Sequence, residues 1–92
     1  MIKSIRHKAL RNYWTKGETK GLNANWLPKL RIVLDALEAG QEPDEMNFPG
    51  AHFHPLKGDL AGFYSVRLTG NYRVIFQSEE DGFTLVDIVD YH

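Results

Sequence analysis

Two short polar blocks hold the side chains best suited to chemistry: His54-Pro55-Leu56-Lys57-Gly58-Asp59 in the middle of the chain and Asp90-Tyr91-His92 at its end. Histidine and aspartate take up protons, tyrosine donates one, and lysine supplies a cation that steadies negative charge. Each block adjoins a segment that reads as buried strand, and strand ends are where a rigid scaffold presents reactive groups. Brought together, the blocks would make one general acid–base site for a substrate on which negative charge develops.

Strand alternation puts Arg73 with Ile75 and Gln77, opposite Tyr72, Val74 and Phe76, on an open face that can carry charge. As an isolated arginine it would more simply pair with Asp87 or Asp90. Ser65, Arg67 and Thr69 read as a solvated polar row on the neighbouring strand. A zinc site on His52, His54 and His92 is the competing use of the histidines. It is disfavoured because His52 and His54 alternate on a strand, no cysteine assists and Pro55 constrains the backbone. The site is therefore read as free of metal and cofactor.

The rest of the chain must position these groups. At 92 residues, 42% hydrophobic and 12% aromatic, it can fill one modest core without staples, which predicts a single domain over residues 1–92. Cysteine is absent, so disulfides and thiolate metal sites are excluded and a reducing compartment fits. The opening residues lack the apolar run of a signal peptide, and no stretch has the roughly 18 consecutive apolar residues of a membrane span. The expectation is a cytoplasmic protein with no membrane partner.

A net charge of −1 conceals a gradient. Residues 1–35 carry eight Lys and Arg against Glu18 and Asp35, while the remainder is acidic. Charge separated in this way permits a polyanion-facing side on a mildly acidic protein, and it equally describes solvated helix faces.

The pattern predicts a short strand at Met1-Ile2-Lys3 and a helix over 5–16 capped by Ser4, with Ile5, Leu10, Tyr13 and Trp14 as its stripe. Gly17 ends it, and Asn23 or Asn25 caps the next helix. That helix runs from Trp26 to Ala39 on Leu27, Leu30, Leu34 and Leu37 and closes at Gly40. Residues 41–50 form an ordered loop. His52-Phe53-His54 is a short strand ended by Pro55. Phe63–Leu68 and Tyr72–Gln77 make a hairpin through Thr69-Gly70-Asn71. Phe83–Tyr91 is the last strand, with Leu85, Ile88 and Val89 for its core. Two helices followed by a meander give an α+β domain, the helices packed on one face of a small twisted antiparallel sheet.

At this point the chain resembles a known family, the HigB branch of the RelE-like toxins of bacterial toxin–antitoxin modules. The resemblance rests on four blocks in order: Met1-Ile2-Lys3-Ser4 with its basic helix, His54 to Asp59, Tyr72-Arg73-Val74-Ile75-Phe76, and Asp90-Tyr91-His92. It implies a ribosome-dependent endoribonuclease that cuts messenger RNA in the decoding site. It also implies neutralisation by a HigA-type helix-turn-helix antitoxin, through which the toxin associates indirectly with operator DNA. The family's active site would fall on His54, Lys57, Arg73, Asp90, Tyr91 and His92.

Metal-free RNA cleavage needs a base for the 2′-hydroxyl, cations for the charged phosphate and an acid for the leaving 5′-oxygen. His92 or Asp90 would be the base, Lys57 and Arg73 the phosphate clamp, and His54 or Tyr91 the acid, with the two histidines exchangeable. A non-catalytic module that binds RNA or protein through its basic helices is the alternative.

Overall fold

Alternation of apolar and polar residues in the second half of the chain resolves into an antiparallel meander. The computed structural model describes residues 1–91. Within them β1 (His54–Pro55), β2 (Phe63–Arg67), β3 (Tyr72–Glu79) and β4 (Gly82–Asp90) form one sheet in that order, each neighbouring pair antiparallel. Two helices precede it, α1 (Lys8–Lys16) and α2 (Leu27–Ala39). Leu10 of α1 and Leu30, Val33, Leu34 and Leu37 of α2 are buried in one cluster with Val66, Val74, Phe76, Phe83 and Val86 of the sheet. Both helices therefore cover the same sheet face, the expected α+β arrangement, and removal of this apolar surface from water holds the layers together.

Local chemistry sets the helix ends, with differences from the sequence pattern. α1 starts at Lys8, later than position 5, because the ring of His7 accepts from the amide of Leu10 at 3.1 Å and acts as the cap. Ser4 is used elsewhere. Gly17 ends α1 in the left-handed conformation, φ 74, that glycine adopts without a Cβ clash. Asn23 caps a short 3-10 turn, Ala24–Trp26, that leads into α2 with Pro28 in its first turn. On α2 the fourth fully buried position is Val33, while Leu27 is only half-buried.

The expected first strand is replaced by two isolated parallel bridges, Ile2 to Phe83 and Ile5 to Val86. The amide of Lys3 donates to the Phe83 carbonyl and that of Arg6 to the Val86 carbonyl, both at 2.7 Å. Residues 1–6 thus line the free edge of β4. A Cβ on Gly82 would overlap the Met1 carbonyl, so only glycine admits the chain this close.

β4 holds the largest departure from simple alternation. Ile75 faces Asp87 and Gln77 faces Thr84, so Leu85 and Val86 both stand opposite Phe76, a β-bulge with Leu85 at φ 53. The extra residue switches parity: Phe83 faces the helices, and beyond the bulge Val86 and Ile88 do. Leu85 and Val89, read with Ile88 as one core, pack instead on the outer face around Leu56, Phe63 and Ile75. That outer face is therefore no simple polar surface. The bulge is tied down by Ser4, whose hydroxyl accepts from the Leu85 amide at 2.8 Å and whose carbonyl accepts from Val86 at 3.1 Å.

Candidate active site

The sheet positions the candidate residues through cross-strand register. His54 faces Ser65, Ser65 faces Ile75, and Ile75 faces Asp87, one row across all four strands. Arg67, Arg73 and Val89 form the next row. Residues directly opposite share a face, so His54, Ser65, Arg67 and Arg73 all lie on the side away from the helices. Tyr91 follows two residues after Val89 and reaches the same side: the Arg73 guanidinium carbon lies 5.2 Å from the centre of its ring.

The approach to His54 is not the straight strand that the sequence suggests. His52 has φ 48, in the left-handed region, so β1 begins only at His54 and includes Pro55. Pro55 fits because β1 is an edge strand, where a missing donor is tolerated. The turn at His52 brings its carbonyl to the outer face. There it accepts from Arg73 Nη1 at 3.3 Å and from His54 Nδ1 at 3.1 Å. Arg73 Nη1 also donates to Ser65 Oγ at 3.1 Å. Three fixed partners thus aim this guanidinium: a carbonyl, a buried hydroxyl and the Tyr91 ring face. Asp87, one of the carboxylates expected for it, instead accepts from the Ile88 amide at 2.8 Å.

His54 and Tyr91 meet edge to face, their ring centres 6.5 Å apart. They border a cleft of about 270 Å³ that is also lined by Pro55, Leu56, Lys57 and Leu60. Lys57 is exposed at its rim. Leu56 and Leu60 continue into the outer apolar cluster, which gives the polar groups a packed floor. Beyond it the Arg6 guanidinium carbon stands 5.9 Å from the centre of the Phe63 ring. Lys57, Arg67, Arg73 and Arg6 outnumber Asp87, the carboxylate in the His54 row of this face, although the acidic half of the chain builds most of it.

Four of the six candidates come together: His54, Lys57 and Tyr91 around the cleft, and Arg73 against Tyr91. Asp90 is exposed and registers with Tyr72, one strand position out of phase with Arg73 and Tyr91. His92 lies outside the described residues.

Sequence reasoning missed three contributors. Ser65, read as part of a solvated row, is fully buried beneath Arg73. A serine opposite a buried isoleucine inside a hairpin was the available signal. Arg67 stands directly across from Arg73, and the hairpin turn already implied that pairing. His52 contributes its carbonyl, which no side-chain pattern could have marked.

Over residues 3–92 the chain matches the family described as the RelE-like toxin of type II toxin-antitoxin system HigB. It is 35% identical over 92 residues, the whole of both chains, to a protein of Proteus vulgaris named Endoribonuclease HigB. Among solved structures it resembles YafQ from E. coli, with TM-score 0.57 and 12% identity over 98% of this chain and 91% of that one. It also resembles a YoeB/ParE toxin from Agrobacterium tumefaciens, with TM-score 0.55 and 18% identity over 100% and 99%. At such identities the structures speak for the fold alone. With its sequence matched almost from end to end, this chain belongs to the HigB-like family of RelE-like toxins of type II toxin–antitoxin systems.

Proposed function

We propose that this chain is an endoribonuclease that cuts messenger RNA in the decoding site of the ribosome, acting in the cytoplasm as one domain and without a metal ion. The observation that carries the reading is the cleft where His54, Lys57 and Tyr91 converge beside Arg73, in a chain similar throughout to an endoribonuclease. Cleavage proceeds by attack of the 2′-hydroxyl on the adjacent phosphate. His92, Asp90 or His54 serves as base, Lys57 and Arg73 hold the phosphate, and Tyr91 or the second histidine protonates the leaving oxygen.

The charge pattern supports this reading. Arg67 and Arg73 stand directly opposite each other, an arrangement that destabilises a sheet unless an anion offsets it. A phosphate at this face would do so. Cations occupy the place where a two-metal nuclease needs clustered carboxylates. The polar groups are few and mostly exposed, too sparse to orient a flexible RNA alone, and the ribosome supplies the missing order. The antitoxin that the family implies is of the HigA helix-turn-helix type, and it links the toxin to operator DNA.

The test compares purified protein on programmed ribosomes and on free message. Cleavage on ribosomes only, lost in Lys57→Ala and Tyr91→Phe, is expected. Efficient cutting of free RNA removes the ribosome from the proposal, and full activity in both variants removes this cleft.

A further inference from the structure

We propose that the main-chain carbonyl of His52 selects the tautomer of His54 and so makes His54 the proton acceptor of the site, an inference that rests on the cleavage reading above. His52 is one of three non-glycine residues with positive φ among the described residues; the other two lie at the hairpin turn, Asp81, and at the bulge, Leu85. It has neither of those tasks. It falls between Ala51, whose carbonyl accepts from the Arg67 amide at 2.8 Å, and His54, which pairs with Ser65. Extended backbone at His52 would let β1 run straight through. An outlier that interrupts a strand beside a cleft is held in place by what it accomplishes there.

What it accomplishes is to turn one carbonyl out of the ladder toward His54 Nδ1, 3.1 Å away. A carbonyl oxygen has no proton to give, so this contact needs hydrogen on Nδ1, and in the neutral ring Nε2 is then bare. Free imidazole side chains in water favour the opposite form, so the carbonyl reverses an intrinsic preference. The second lone pair of the same oxygen takes Arg73 Nη1 at 3.3 Å, which fixes the acceptor from the other side.

A bare Nε2 accepts a proton and cannot supply one. It takes the proton of the 2′-hydroxyl as O2′ bonds to phosphorus. The bond from phosphorus to O5′ breaks, and O5′ takes the phenol proton of Tyr91, which lines the same cleft. The products are a 2′,3′-cyclic phosphate and a 5′-hydroxyl, and solvent returns the proton from His54 to Tyr91. His54 is the base and Tyr91 the acid, while His52 is a positioning residue that acts through its backbone.

Nitrogen-15 spectra of the imidazoles in the full chain, recorded above the titration range of the rings, report the tautomer with no substrate present. Hydrogen on His54 Nδ1 with a bare Nε2 is expected. Hydrogen on Nε2, or the mixture found in free imidazole, overturns the proposal. Substitutions at position 52 then separate carbonyl from side chain. The β-branched residue in His52→Val resists φ 48 and should scramble the tautomer and lower kcat about tenfold or more with little change in KM. His52→Gly, at ease at positive φ, should rescue both. Equal loss in the two variants would place the effect in the imidazole of His52 and overturn the carbonyl's role. Because the spectrum needs no substrate, the selected tautomer in a protein that cuts no message upholds the orientation and removes only the cleavage reading beneath it.

Discussion

Ser65→Ala deletes one oxygen from the site and little else. Ser65 is fully buried, and its hydroxyl accepts from Arg73 Nη1 at 3.1 Å. A hydrogen bond to a charged group contributes about 1.5–3 kcal/mol. Arg73 is only half-buried, so water and the His52 carbonyl recover part of that, leaving about 1 kcal/mol. A double-mutant cycle of Ser65→Ala and Arg73→Ala in urea should return a coupling of that size. The same loss, applied to an arginine aimed at a phosphate, lowers the cleavage rate on programmed ribosomes about fivefold, since about 1.4 kcal/mol corresponds to tenfold. A coupling under about 0.3 kcal/mol, within the scatter expected of independent sites, together with an unchanged rate, would refute the claim that Ser65 aims Arg73.

Tyr91→Phe keeps the ring against Arg73 and His54 and should leave stability within about 0.5 kcal/mol, while loss of the phenol cuts message cleavage about 10²- to 10⁴-fold. Parallel melts and cleavage assays decide it, and a variant that melts early points to a structural role. Removing Tyr91 and His92 together should abolish growth inhibition yet leave the circular dichroism spectrum of the sheet intact, because the packed part of β4 ends at Val89; a folded truncation that still arrests growth would take both residues out of the mechanism. Ile75→Ala, at a position 1% exposed under the outer face, should cost about 2–4 kcal/mol in urea unfolding, and a change below about 1 kcal/mol would mean that the outer cluster is no real core. Gly82→Ala should free residues 1–6 from β4 and speed exchange of the Lys3, Phe83 and Val86 amides; unchanged protection would show that the edge accommodates a Cβ.

The sequence by itself determined the classes of element and most of their extents. Leucine spacing in α2 and the alternation of β2 and β3 depend on periods of 3.6 and 2, which are local properties of the backbone. Of the four candidates that converge, His54, Lys57 and Tyr91 were legible by residue type, since few side chains move protons or hold phosphate, whereas Arg73 was marked only by the family resemblance. Other features were decided only by the tertiary structure. The bulge at Leu85 reverses which residues of β4 face the helices, and it exists because the segment around Ser4 captures the amides that the extra residue releases from the ladder. Ser65 is buried in the row between His54 and Ile75, with Arg73 bonded to its hydroxyl, although it shares its strand face with the exposed Arg67. His52 matters through a carbonyl, a group every residue carries, so no residue-type pattern could single it out. Periodicity tells a residue which side of its own strand it occupies; what stands opposite depends on register, and a single inserted residue changes that for everything beyond it.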